Sequence, residues 1–264
     1  MRDLSTVRDG WEAVEAEETR LLRALTVEQG LRDFLVVQVT CEPQFQLTDA
    51  LFRPDREARL VDLQKRLRRL GQRMDKMENL YRSVVAMQQR LYKAGVPSAI
   101  IGGIAQSVWG IPRATRDVDL KVLLDRDSSE RLLQILGNDY RYLHSNPLAN
   151  LRGNGMVFVI DPEDVRVDLL LADTPYDERV ISRAVEFDLM AGLQGRVCTA
   201  EDLIILKLIS TREQDHVDAA AVVRRQAAAL DHAYVRNWLR QFEQALDDST
   251  LLAEYDRLVE RYGK

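Results

Sequence analysis

The segment that most constrains this chain runs from Ala99 to Leu124. There an apolar run ends in the pair Gly102–Gly103, and Asp117-Val-Asp119 opens a second apolar run. Short apolar runs bounded by turn residues read as strands: Ser98–Ile101 first, Asp117–Leu124 second. Ile104–Trp109 between them reads as a short helix. Residues two apart on a strand point the same way, so Asp117 and Asp119 face one spot across from the glycine turn. Two carboxylates, a glycine turn and a helix N-terminus are the parts from which a site for a divalent cation and a phosphate chain is built.

The 264 residues suffice for one large domain or two small ones with a substantial core. A net charge of -5 excludes a general polycation, so any nucleic-acid contact needs a local basic face. Cys41 and Cys198 form no metal-ligand spacing and suit a reducing compartment. Met1–Gly10 lacks the apolar core of a leader, and no run is long enough to span a bilayer. A cytoplasmic location without membrane contact is the expectation. Phe34–Val39, apolar but short, reads as a buried helix turn or strand.

Three zones follow: residues 1–93, helical; 94–198, alternating strands and helices; and 199–264, helical again. Thr26 and Gln29 form a capping box for a first helix. Pro43 predicts a break near Cys41. A second helix over 55–93 carries apolar residues three and four apart: Leu60, Leu63, Leu67, Leu70, Met74, Met77, Tyr81, Val84 and Leu91, with Gln88 as the polar exception. That repeat predicts a coiled-coil or helical-hairpin seam. Along residues 56–93 basic side chains outnumber acidic ones, which reads as a solvated face or as a surface for RNA.

In the middle zone, Asp127 with Glu130 predicts the start of a helix over 128–136. Met156–Ile160 and Val165–Leu171 read as strands joined by the turn Asp161-Pro-Glu-Asp164. In the last zone Thr199 with Asp202 predicts a capped helix, followed by a small amphipathic bundle. The fold class is therefore α+β, with a small mixed sheet flanked by helices.

Each chemical signal has a bland reading. A Gly-Gly turn alone reverses a chain, and an isolated Asp-x-Asp suits an exposed strand end. Asp168 interrupts an apolar strand, where an unpartnered carboxylate is costly; it suits a place beside a metal or a cation, or else an edge strand where it faces water beside Arg166. Lys207 interrupts another apolar run, and Arg212, Asp215 and Asp218 follow at helical spacings, as either a phosphate-facing set or a salt-bridge cluster. His144, His216 and His232 share no ligand spacing.

Together these residues resemble the DNA polymerase β-type nucleotidyltransferase superfamily. Its hallmark is a strand, a glycine pair, a short helix, Asp-x-Asp, and a third carboxylate on a later strand. Gly102-Gly103-Ile104-Ala105, the run from Arg113 to Asp119, and Lys207, Arg212, Asp215 and Asp218 are similar to the AbiEii-like branch, which includes toxins of toxin–antitoxin and phage-defence systems. The resemblance covers about residues 96–222. It implies Mg²⁺ (or Mn²⁺) held by Asp117, Asp119 and Asp168, and an NTP bound by Gly102, Gly103, Arg113, Thr115, Lys207 and Asp215. It implies transfer of a nucleoside monophosphate to an acceptor hydroxyl on RNA, such as tRNA, or on protein. Transfer to an aminoglycoside- or lincosamide-type small molecule and a non-catalytic nucleotide-binding module are the alternatives. Expected partners are an RNA on the basic helix 56–93 and an antitoxin or a second copy along the heptad helix.

Overall fold

The computed structural model describes residues 20, 26–113 and 115–263. The reading of Met1–Gly10 lies outside them. Contacts divide the chain after Leu70 into two units. The boundary read at residue 93 therefore falls inside the second unit.

One helix, α1 (Val27–Lys93), begins at the expected capping box. Gln29 N–H donates to Thr26 Oγ1 and Thr26 N–H donates to Gln29 Oε1, each at 3.2 Å. The break expected at Pro43 does not occur, nor a fresh start after Pro54. A proline removes its own N–H from the ladder and crowds the carbonyl four residues before it, a cost of about 3 kcal/mol that the bonds on either side of a 67-residue helix outweigh. The burial expected for Phe34–Val39 is also corrected: Leu35, Val36 and Val39 are exposed, since a helical side chain is buried only where another element meets it. Along the heptad stripe Leu60, Leu63 and Met77 are exposed, whereas Val84 and Leu91 are buried in the second unit's core, joined there by Leu80 and Met87 from outside the stripe.

The second unit holds a seven-stranded sheet: β1 (Ser98–Ile100), β2 (Asp117–Val122), β3 (Arg141–Tyr142), β4 (Met156–Ile160), β5 (Arg166–Leu171), β6 (Val185–Met190) and β7 (Leu193–Val197). Its order is β3-β4-β5-β2-β1-β7-β6. The pairs β2–β5 and β1–β7 are parallel and the others antiparallel, so the sheet is mixed. The helices are α2 (Gly102–Trp109), α3 (Ser129–Leu136), α4 (Pro147–Asn154), α5 (Pro175–Arg183), α6 (Ala200–Leu208), α7 (Glu213–Gln226), α8 (His232–Leu246) and α9 (Leu251–Tyr262). This is the expected α+β architecture.

Strand alternation sorts the two faces. Val118, Leu120 and Val122 of β2 and Val167 and Leu169 of β5 are fully buried in the main core. Asp117, Asp119 and Lys121 alternate with them onto the other face, where Lys121 is ion-paired to Asp177 of α5. Gln88, the polar exception on the heptad stripe, takes both backbone groups of Arg196 in β7: its Nε2 donates to the carbonyl at 3.0 Å and its Oε1 accepts the N–H at 3.0 Å. The predicted cap of α6 is present, with Thr199 Oγ1 accepting the Asp202 N–H at 3.2 Å. The helix expected over 128–136 with Asp127 as its cap starts one residue later, with Ser128 at the cap position. Residues Arg126–Ser128 form a 3-10 turn, and α3 begins at Ser129.

Candidate active site

The β4–β5 hairpin sets Asp168 inside the sheet, between β4 and β2. Asp161 shapes its turn by accepting the N–H groups of Glu163 at 2.9 Å and Val165 at 2.8 Å. The parallel register then places Asp168 directly opposite Asp119 and Arg166 opposite Asp117. Neighbouring strands lie about 4.8 Å apart. Asp117, Asp119 and Asp168 therefore share one small patch of one face.

The glycine pair closes that patch. Gly102 has φ +61°, a backbone conformation that side chains disfavour, and a Cβ there would stand 2.6 Å from the Asp119 Cγ. A Cβ on Gly103 would stand 2.7 Å from the Thr115 Cβ. Both glycines are thus required for α2 to start against β2. The Gly103 N–H points at the Asp119 carboxylate at 3.4 Å, and Thr115 Oγ1 donates to Asp117 Oδ1 at 2.9 Å. Burial, then the charges of Asp117 and Asp168, push the Asp119 carboxyl up to about 6; the Gly103 N–H and Lys207 oppose the rise only partly.

A second cluster lies beyond α2. The Lys207 ammonium is buried and ion-paired to Asp215, and it meets Asp218 Oδ2 at 3.1 Å. Asp215 also accepts from Ser210 Oγ and from Arg212 Nε, each at 2.6 Å. Burial alone would raise the Asp215 carboxyl, but these donors outweigh it and hold it down to about 2. Arg113 forms a two-pronged pair with Asp218, at 3.1 Å from Nε and 3.0 Å from Nη2 to Oδ2. Lys207 therefore acts on Asp119 through its charge while two carboxylates fix its ammonium. The Arg212 guanidinium is mostly exposed, and Asp119 and Asp117 contribute to its upward shift, after Asp215.

Arg166 is the residue that the sequence underplayed. On the same strand face as Asp168, its Nε and Nη2 bind both Asp168 oxygens at 2.7 and 2.8 Å. Among the described residues no three His, Cys, Asp or Glu side chains are gathered as a ready metal cluster. The donor set still suits a hard divalent cation. Three carboxylates crowd one patch, burial and then the charges of Asp117 and Asp168 raise Asp119, and Gly102 leaves that carboxylate uncovered by any Cβ. His216 takes a structural role: it bridges Glu254 Oε1 at 2.7 Å and the Ser210 carbonyl at 2.8 Å. Cys41 and Cys198 are free.

The family model described as "Nucleotidyl transferase of unknown function (DUF2204)" matches residues 80–252, which contain the glycine pair, Asp117, Asp119, Asp168, Arg166 and the Lys207 cluster. The chain belongs to this nucleotidyl transferase family. It is thus an enzyme of the nucleotidyltransferase superfamily, and the family match does not reach the finer AbiEii-like branch. No curated protein matches the sequence. Among solved structures it is similar to an antigenic nucleotidyltransferase-like protein from Paracoccidioides brasiliensis. Identity there is 18%, over 67% of this chain and 93% of that one, with a TM-score of 0.42. It is also similar to the antibiotic-resistance factor ANT(2'')-Ia, with 15% identity over 66% and 96% of the two chains and a TM-score of 0.44. A lincosamide antibiotic adenylyltransferase with lincomycin bound shares 15% identity over 52% of this chain and 92% of its own, at a TM-score of 0.36. Among the described residues of this nucleotidyl transferase, no helix is long and apolar enough to cross a membrane.

Proposed function

We propose that this nucleotidyl transferase moves a nucleoside monophosphate from an NTP to an acceptor hydroxyl at the Asp117–Asp119–Asp168 patch. The observation that carries this reading is the register of β2 against β5, which sets Asp119 opposite Asp168 with Gly102 packed on Asp119. The acceptor oxygen bonds to the α-phosphorus. The bond from that phosphorus to the oxygen bridging to the β-phosphate breaks, and pyrophosphate leaves. The hydroxyl proton passes to a carboxylate oxygen of Asp168. Such reactions depend on positioning and charge neutralisation more than on covalent help from the protein.

Asp117, Asp119 and Asp168 would hold Mg²⁺, with Mn²⁺ as a substitute. When bound, the ion supplies charge neutralisation along the triphosphate. The start of α2 at Gly102 and Gly103 offers backbone N–H groups to the phosphates. Arg113 and the exposed Arg212 offer cations to them, and Thr115 holds Asp117. Lys207, fixed by Asp215 and Asp218, supports Asp119. The test is incubation of the full chain with α-labelled NTPs, Mg²⁺ and total RNA or hydroxylated small molecules. Label should pass to an acceptor, and Asp119→Asn should abolish transfer. No NTP binding in the presence of Mg²⁺, or undiminished transfer by the variant, would refute the reading.

A further inference from the structure

Beyond Asp168 the same sheet face carries groups that the metal and nucleotide roles leave unused. Phe158 of β4 stands directly opposite Asp168. The Arg166 guanidinium lies 4.7 Å from the centre of the Phe158 ring while it holds Asp168. His144 packs on Phe158 with ring centres 4.9 Å apart and planes inclined at 38°. Asn150 Nδ2 lies 3.3 Å from His144 Nε2 and donates to the Met156 carbonyl at 2.6 Å, which ties the imidazole to β4. Phe158, His144 and Arg166 are each only partly buried. The surface beside the proton-accepting carboxylate is thus an aromatic pair with one cation set over the Phe158 ring between it and Asp168.

An aromatic face stacks any base, and an arginine takes a phosphate; proteins hold unpaired nucleotides by this combination. A polycationic acceptor would bring like charge onto Arg166. We propose that Phe158, His144 and Arg166 form the acceptor subsite, which receives the terminal nucleotide of a single-stranded RNA with its base on Phe158 and its phosphate on Arg166. This rests on the nucleotidyl-transfer reading, because that reading puts the acceptor hydroxyl beside Asp168. It also gives the Arg166–Asp168 pair a purpose. A phosphate that takes Arg166 releases the Asp168 oxygens, so the arriving acceptor frees the group that accepts its proton.

The experiment measures binding of a short, 5′-fluorescein-labelled single-stranded oligoribonucleotide by anisotropy, using the full chain. Phe158→Ala should weaken binding about tenfold, the scale of one lost stacking contact. Phe158→Trp should retain it. Phe158→Leu keeps apolar bulk without the ring, so it should lose affinity as Phe158→Ala does even if the smaller residue disturbs the hairpin. Arg166→Gln should lower affinity and reduce the salt slope by about one. Failure of the wild type to bind RNA, or wild-type affinity in both Phe158→Leu and Phe158→Ala, overturns the subsite. So does label transfer to small molecules with none to RNA. NTP binding by the wild type is measured in parallel. RNA bound at Phe158 without NTP binding defeats the transfer reading and leaves the aromatic pair standing; NTP bound with RNA indifferent to Phe158 does the reverse.

Discussion

Replacing Asp119 with asparagine should stabilise the metal-free protein while removing its activity. The Asp119 carboxyl titrates near 6 in the fold against an ordinary value of 3.8, chiefly because it is buried beside Asp117 and Asp168. At 1.36 kcal/mol per unit, ionising it inside the fold costs about 3 kcal/mol. The sign is that of a raised carboxyl. Well below pH 3.8 the group is neutral in both folded and unfolded chains and costs nothing. As pH rises from about 4 through 6 the unfolded chain ionises first, stability falls, and the full cost remains above pH 6. Asparagine carries no charge to desolvate, and its Oδ1 can still accept the Gly103 N–H. Thermal unfolding at pH 8 with EDTA should therefore show Asp119→Asn melting roughly 4–8 °C above wild type, for a gain of about 2 kcal/mol after the amide's imperfect fit. The gain should shrink towards zero at pH 4. Mg²⁺ should raise the wild-type melting temperature and narrow the gap. A variant no more stable than wild type at pH 8, or a gain undiminished at pH 4, would refute the crowded-carboxylate account.

Three further substitutions test the surrounding parts. Gly102→Ala forces a side chain into φ +61° and against the Asp119 carboxylate, so turnover should fall roughly 100-fold as the carboxylate is displaced, measured by label transfer. Lys207→Met leaves Asp215 and Asp218 without their shared buried cation and should cost about 3 kcal/mol in urea unfolding; a neutral result would show that Arg212, Ser210 and Arg113 suffice to hold them. Gln88→Leu restores the heptad stripe but strips Arg196 of two backbone partners, so it should destabilise by about 1 kcal/mol; a gain in stability would mean the apolar repeat outweighs those bonds.

Much of the site was legible because its signals are local. The Gly102–Gly103 pair, the two-residue spacing of Asp117 and Asp119, and the caps at Thr26 and Thr199 depend on neighbours a few residues apart. The turn from Asp161 to Asp164 also fixed the hairpin, so the pairing of Phe158 with Asp168 was in principle countable from the sequence. The β6–β7 hairpin has little local signal beyond Gly192, which sits in its turn at φ +78°. Helix α5 is marked only by Thr174 as its cap and Pro175 at its start. Strand β6 is mostly exposed, so its alternation is faint, and in the nine residues of α5 the helical stripe of Tyr176, Val180 and Ile181 spans barely more than one turn. The helix break at Pro43 failed for the opposite reason: a strong local signal was outvoted by the ladder on both sides.

The sequence by itself determined the element types around the glycine pair, the shared face of Asp117 and Asp119, and the presence of a later aspartate in an apolar strand. These follow from dihedral preferences and strand alternation, which act within a few residues. Only the tertiary structure decided that Asp168 stands opposite Asp119, because a parallel pairing of β2 with β5 joins segments almost fifty residues apart and is chosen by packing of the whole sheet. The same packing buried Lys207 between Asp215 and Asp218, tied Arg113 to Asp218, and turned Arg166 onto Asp168. Charges that sequence spacing can only offer as phosphate ligands were thereby divided into those fixed inside the fold and those left at its surface to meet a substrate.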